Sequence, residues 1–152
     1  MDELRTRILD EIREILKKPG GRDDKLAQVC RILAQNFPYY NWVGFYIAIP
    51  DREELVLGPF VGAPTEHTKI PYGRGICGQA AVKLDTVVVE DVSRENNYLA
   101  CSPEVKSEIV VPVFAEGKFV AELDIDSHIK GAFSPEDEKF LRKVCEYVAE
   151  LF

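Results

Sequence analysis

The segment from residue 98 to residue 127 constrains the fold of this chain more than any other stretch. Two apolar runs flank a turn at residues 116–117, and the first run begins with Glu108 while the second ends with Asp124 and Asp126. Side chains alternate between the two faces of a strand, so Asp124 and Asp126 share one face of the predicted sheet. The pattern predicts a β-hairpin that gathers three carboxylates near one end.

The turn also predicts the register of this hairpin. A hairpin that folds at residues 116–117 pairs positions whose numbers sum to about 233, which places Glu108 opposite Ile125. Pro112 lies within the first strand and has no N–H group to donate, so we expect a bulge or an unpaired side there.

The three acids of the hairpin predict a binding site. Valine and leucine neighbours indicate that the strands are buried, and a buried carboxylate is costly unless it binds a partner. Because no pair of histidines accompanies Glu108, Asp124 and Asp126, they suit a cationic amine better than a metal ion. Clustered carboxylates raise one another's pKa, so one of the three could also supply a proton.

The rest of the chain predicts an α+β fold. Apolar periodicity and turn residues predict helices at 4–17, from an N-cap at Asp23 to 37, at 79–83 and from an N-cap at Ser134 onward, with strands at 41–49, 54–58, 70–72 and 86–89. Consecutive hairpins indicate a mainly antiparallel sheet with helices against a face, in one domain spanning residues 1–152. Cys30 and Cys145 lie on apolar helix stripes, which is typical of core cysteines.

Composition excludes several classes of function. The net charge of −7 disfavours a nucleic-acid partner. No uncharged stretch is long enough to span a membrane, and no signal peptide precedes the first helix, so we expect a cytoplasmic protein. The four cysteines form no Cys-x-x-Cys pair, which argues against a structural zinc site and against a secreted disulfide framework.

Two loops carry further candidate chemistry. Residues 73–78 match the G-x-G-x-x-G pattern of dinucleotide-binding loops, but they lie mid-chain between two hairpins instead of opening a βαβ unit. Amides at such a helix start could still hold a small anion and would lower the pKa of the Cys77 thiol. Cys101 lies in a polar loop, where it is either an unreactive surface thiol or a nucleophile. In the second case, the positive charges of Arg94 and Lys106 could favour its thiolate form.

Seven motifs, taken in order, resemble the free methionine-(R)-sulfoxide reductases, a family built on the GAF domain. The resemblance runs from about residue 36 to the C-terminus. The motifs are Asn41–Tyr46, Leu55–Phe60, Gly73–Gly78, Asp91-Val92, Ala100-Cys101, Ser107–Pro112 and Leu123–Ser127. This resemblance implies a GAF-like six-stranded antiparallel sheet flanked by helices, with a ligand enclosed under loops.

The resemblance also implies a thiol chemistry. Cys101 would attack the sulfoxide sulfur of free methionine-R-sulfoxide and become a sulfenic acid, while the acids bind the substrate amine or protonate the departing oxygen. A second cysteine would then close a disulfide that thioredoxin reduces, so that no bound cofactor is needed. The side chains of Trp42, Tyr46 and Ile76 would wall the pocket around the methyl and thioether. Helix pairing, common in this family, makes a homodimer an expectation.

The chain departs from the family pattern at three positions. His67 stands where the family usually has its resolving cysteine, Tyr98 where a histidine is common, and Ser102 where an aspartate is common. Cys77 is the remaining candidate resolver. The missing thiol leaves a second hypothesis open, a non-catalytic GAF sensor or binding module for a small amino-acid-like or nucleotide ligand.

Overall fold

Two hairpins lie side by side at the centre of one antiparallel sheet in the computed structural model, which describes residues 1–96, 98 and 102–152. The strands are β1 (Trp42–Ile49), β2 (Glu54–Val61), β3 (Lys69–Pro71), β4 (Val87–Val89), β5 (Ser107–Ala115) and β6 (Lys118–Ser127). Their spatial order is β3-β2-β1-β6-β5-β4, and every neighbouring pair is antiparallel. The predicted six-stranded α+β plan is thereby confirmed.

Four helices cover this sheet. They are α1 (Glu3–Lys17), α2 (Arg22–Asn36), α3 (Gly75–Lys83) and α4 (Pro135–Val148). Within the described residues, none of them has the length and apolar character needed to cross a membrane.

The sheet separates two hydrophobic cores of different size. The larger core packs α1, α2 and α4 against one face, and it buries Cys30 and Cys145 as predicted. The apolar C-terminus joins the same core, where the guanidinium of Arg22 lies over the ring of Phe152 at 5.2 Å. The smaller core lies on the other face under α3 and the loops, and it contains Trp42 and Tyr46.

One of the two N-caps predicted from the sequence is confirmed, and the other is wrong. Ser134 caps α4 as predicted, and it forms a capping box with Asp137. The N-cap of α2 is Gly21, so the predicted N-cap at Asp23 is wrong. Asp23 lies within the first turn, where its charge interacts favourably with the helix dipole without capping a backbone N–H.

The register of the β5–β6 hairpin differs by one residue from the prediction. Glu108 lies opposite Asp126 and not opposite Ile125, because the ladder has a bulge next to the Val113/Phe114 step, where β6 carries one extra residue, Val120. A bulge was expected near Pro112, and the pairing of β5 with β4 extends only as far as Val110. Directly opposed residues share a face, so the bulge turns Glu108 to the face that carries the acids of β6.

Candidate functional site

Four acidic side chains lie buried on the same face of the central hairpin. Glu108 comes from β5, and Glu122, Asp124 and Asp126 come from alternate positions of β6. Each of the four is at most 4% exposed to solvent. Glu122 was not predicted from the sequence, although it has the same parity as Asp124 and Asp126, and this parity was the signal that could have identified it.

Helix α3 places a thiol against these acids. The Cys77 sulfur, a Glu108 carboxylate oxygen and an Asp124 carboxylate oxygen all lie within 4.8 Å of one another. Cys77 is 4% exposed. The structure therefore brings together three of the residues predicted from the sequence, two from the hairpin and one from the glycine-rich segment.

The glycine-rich segment has a packing role in this arrangement. A Cβ atom on Gly78 would come within 2.7 Å of the Pro71 carbonyl oxygen, so only glycine lets α3 approach the end of β3 this closely. The Gly73 N–H donates to the Gly78 carbonyl at 2.8 Å, which closes the loop on itself. The backbone amide of Gly73 is consequently already engaged, unlike the amides that receive a pyrophosphate in a dinucleotide-binding loop.

The environment of Cys77 corrects one prediction. Its position near the start of α3 was expected to lower the pKa of the thiol. Burial instead raises the pKa of Cys77 well above its ordinary value, and the charges of Asp124 and Glu122 raise it further. Several carboxylates in a closed space outweigh the partial charge of one helix end, because all of them disfavour a thiolate.

Two of the acids favour their protonated form. Burial, followed by the charge of Asp124, raises the pKa of Glu122 well above its ordinary value. Burial also raises the pKa of Asp124, opposed by hydrogen bonds with Glu108 and Cys77. Apart from the weak thiol donor of Cys77, neither oxygen of Glu122 has a hydrogen-bond partner among the described residues.

A small cavity lies between α3 and the acidic face. Its volume is about 10 Å³, which leaves room for roughly one water molecule. The lining residues are Tyr46, His67, Ile70, Gly75, Ile76, Cys77, Glu108 and Asp124. Five candidate site residues from the sequence therefore line one cavity, whereas Asp126 and Trp42 lie beside it.

The indole of Trp42 packs next to this cavity. It stacks on Phe60 with ring centroids 5.4 Å apart, and its N–H donates to the Ala63 carbonyl at 3.0 Å. Its ring also lies over Gly44, where a Cβ atom would come within 2.5 Å of the indole. Gly44 pairs with Asp124 across β1 and β6, so the aromatic wall adjoins the acids.

One loop covers the cavity and is held by Tyr46. The Tyr46 hydroxyl donates to the His67 carbonyl at 2.9 Å, and the His67 N–H donates to the Thr65 hydroxyl at 3.1 Å. His67, at the position where the family usually has its resolving cysteine, thus faces the same cavity as Cys77.

Cys101 lies outside the described residues, but its flanks converge on the smaller core. Tyr98 packs against that core and Val105 is buried within it. The Lys106 N–H donates to the Ser127 carbonyl at 2.8 Å, next to the end of the acidic strand. Arg94, one of two cations expected to favour the thiolate, lies 3.6 Å from the carboxylate of Asp91.

Known proteins resemble this chain over most of its length. Residues 21–151 match the GAF domain family. The sequence is 42% identical to protein YtsP of Bacillus subtilis, over 91% of this chain and 85% of that protein. It is 39% identical to the free methionine-R-sulfoxide reductase of Escherichia coli, over 78% of this chain and 70% of that enzyme.

A solved structure agrees with these sequence matches. The X-ray structure of free methionine-R-sulfoxide reductase from Neisseria meningitidis in complex with its substrate has a TM-score of 0.92. That similarity covers 100% of this chain and 91% of the other, at 36% sequence identity. The chain therefore belongs to the GAF domain family, in the group that includes the free methionine-R-sulfoxide reductases.

Proposed function

We propose that this protein is a thiol-dependent oxidoreductase that reduces free methionine-R-sulfoxide to methionine. The observation that carries the proposal is the small cavity in which the Cys77 thiol, Glu108 and Asp124 meet within 4.8 Å. The names of two similar proteins, from Escherichia coli and Neisseria meningitidis, support the choice of substrate.

In the first step, the Cys101 thiolate attacks the sulfur of the sulfoxide. The S–O bond of the substrate breaks and the oxygen passes to Cys101, which becomes a sulfenic acid while methionine leaves. Protons must reach the oxygen as it transfers. Glu122 and Asp124 are suited to this role, because burial raises the pKa of each and so favours the protonated form.

The same face suits the rest of an amino acid. An ionised carboxylate among Glu108, Asp124 and Asp126 binds the ammonium group, and a buried carboxylate gains most from such a cationic partner. Tyr46 and Ile76 line the cavity, and Trp42 lies beside them, so that these side chains surround the S-methyl group.

In the second step, the Cys77 thiol attacks the sulfenic acid, releases water and forms a disulfide that thioredoxin reduces. No bound cofactor takes part. The raised pKa of Cys77 makes it a slow nucleophile near neutral pH, since the thiolate is the reactive form. We infer that resolution, not the attack on substrate, limits turnover.

The second hypothesis is a GAF module that binds the same amino acid without reducing it. The observation in its favour is that His67 replaces the usual resolving cysteine in a cavity where the only other described thiol is hard to ionise. It predicts saturable binding of methionine without conversion of its sulfoxide.

One assay separates these hypotheses. Free methionine-R-sulfoxide is incubated with the protein and either dithiothreitol or thioredoxin with its reductase, and methionine is quantified. We expect activity with both reductants, abolished by Cys101→Ser. Cys77→Ser should keep activity with dithiothreitol and lose it with thioredoxin, whereas Cys30→Ala, in the other core, should retain both.

The outcomes are distinct. Binding of methionine with no turnover under either reductant would establish the sensor. Equal thioredoxin activity in wild type and Cys77→Ser would refute Cys77 as the resolver. A cytoplasmic location and a homodimer remain expectations, and sedimentation analysis of the purified protein tests the latter.

A further inference from the structure

We propose that the cavity also binds a thiophilic divalent cation such as Zn²⁺, held by Cys77, Glu108 and Asp124. The sulfur and the two carboxylate oxygens lie within 4.8 Å of one another, and all three side chains are buried. A tetrahedral Zn²⁺ ion with bonds of about 2.3 Å to sulfur and about 2.1 Å to oxygen sets these ligand atoms about 3.6 Å apart. Binding would therefore draw the ligand atoms together by at most about 1.2 Å.

A second observation points to a missing ligand. Both oxygens of Glu122 and Oδ1 of Asp124 are buried without a conventional hydrogen-bond partner among the described residues. Glu122 is 0% exposed, and its interactions with Cys77 and Asp124 place it beside the same cluster. Unsatisfied buried carboxylate oxygens are costly, and a cation held at this cluster would satisfy that of Asp124, which lines the cavity.

The size and charge of the cavity favour a bare ion. Its volume of about 10 Å³ admits a single ion or water without any opening of the loops. One thiolate and two carboxylates supply three negative charges to a divalent cation, and the mixed sulfur and oxygen set favours Zn²⁺ over the hard ions Ca²⁺ and Mg²⁺.

The experiment is a titration of the fully reduced protein with Co²⁺, which reports thiolate ligation by a charge-transfer band in the near ultraviolet. We expect a band that saturates at one equivalent and is displaced by Zn²⁺. Cys77→Ser should remove the band, and Asp124→Asn should weaken binding at least tenfold. Cys30→Ala, a buried cysteine on the opposite face of the sheet, should leave the titration unchanged.

Three results would overturn the proposal: no band in the folded wild-type protein, a band that survives in Cys77→Ser, or a band that requires Cys101. Circular dichroism of each variant shows whether it is folded. Isothermal titration with Zn²⁺ on Cys101→Ser gives a second measurement and should show an unchanged dissociation constant.

A consequence for activity rests on the proposed function. Because the cation would occupy the place of the substrate ammonium group, Zn²⁺ should inhibit reduction competitively with methionine-R-sulfoxide. The cobalt titration needs no turnover, so an inactive protein that still gives the Cys77-dependent band would refute the proposed function and leave the cation site intact.

Discussion

Glu108 lies directly opposite Asp126 across the β5–β6 ladder, with both side chains on the face that carries Asp124. This pairing depends on the bulge between Val113 and Phe114, because without the extra residue Glu108 would face the larger core. One irregular position in the backbone thus decides whether the hairpin assembles a carboxylate cluster.

Replacing Asp124 by Asn tests the role of the cluster in binding. Hydrogen bonds to charged groups contribute about 1.5–3 kcal/mol, so we expect the affinity for methionine to fall by roughly 10- to 150-fold. Trp42 is the only tryptophan in the chain and lies beside the site, so its fluorescence reports binding. Asp85→Asn, an exposed acid paired with Arg142, is the matched control, and an equal loss in both variants would contradict the assignment.

Replacing Glu122 by Gln should change how stability depends on pH. The folded state raises the pKa of Glu122, so it holds a proton that the unfolded chain releases. This contribution to the free energy of unfolding is present below the unfolded pKa and is lost as pH rises towards the folded pKa, by about 1.4 kcal/mol for each pH unit.

Glu122→Gln carries no ionisable group at this position and should escape that loss. Urea unfolding at pH 5 and pH 8 measures the effect. We expect the variant to gain stability relative to wild type as pH rises. A difference between the two proteins that is the same at both pH values would show that Glu122 is ionised in the folded state.

Replacing Gly44 by Ala should disturb Trp42. The added methyl group would lie within 2.5 Å of the indole, so the ring must move away from its stack on Phe60. Overpacking of this kind costs about 1–3 kcal/mol, measured as a lower free energy of unfolding. Gly21→Ala, where a Cβ atom meets nothing within 4 Å, is the control for the emission spectrum, and an unshifted Trp42 emission spectrum in Gly44→Ala would contradict this geometry.

Low pH should weaken a buried hydrogen-bond network around Asp137. Its carboxylate accepts hydrogen bonds from Tyr39 at 2.7 Å and Tyr40 at 2.6 Å, and Arg5 lies 2.9 Å away. These hydrogen bonds, led by that of Tyr40, oppose the effect of burial and lower the pKa of Asp137. The stability they give is present above the unfolded pKa of about 3.9 and is lost as pH falls through the folded pKa.

The measurement for Asp137 is urea unfolding between pH 6 and pH 2. Asp137→Asn should lower the free energy of unfolding at pH 6 by about 3 kcal/mol, because it leaves Arg5 without its buried partner, and the difference should shrink at pH 2. Asp10→Asn, on the exposed side of α1, should leave the whole profile unchanged. A gap between wild type and Asp137→Asn that stays constant with pH would contradict the lowered pKa.

Most elements could be predicted from the sequence because local patterns specify them. Turn residues and apolar alternation located both hairpins, and Ser134-Pro135 located the start of α4. The register could not be predicted, since a bulge depends on how Val113 and Phe114 pack and not on the turn alone. The capping of α2 at Gly21 was missed because Asp23, two residues further along the chain, offers an equally plausible signal.

The sequence predicted most of the residues that form the candidate site, but it did not predict the direction in which the pKa of Cys77 shifts. Cys77, Glu108 and Asp124 were all named from the sequence, and α3 brings the thiol to the acids. The raised pKa of Cys77 could not be foreseen, because it depends on the number of carboxylates within a few ångströms and on the exclusion of water. Glu122 was overlooked, although its parity with Asp124 and Asp126 already indicates that it shares their face of β6.

The small volume of the cavity sets a kinetic condition on any ligand larger than an ion. A molecule the size of an amino acid cannot fit in about 10 Å³, so we expect the loop that carries His67 to move away from Tyr46 before such a ligand enters. Entry is then a two-stage process, in which the observed association rate levels off at high ligand concentration at the rate of opening. The hydrogen bond from the Tyr46 hydroxyl to the His67 carbonyl is one contact that such an opening breaks, so it contributes to the barrier to ligand exchange.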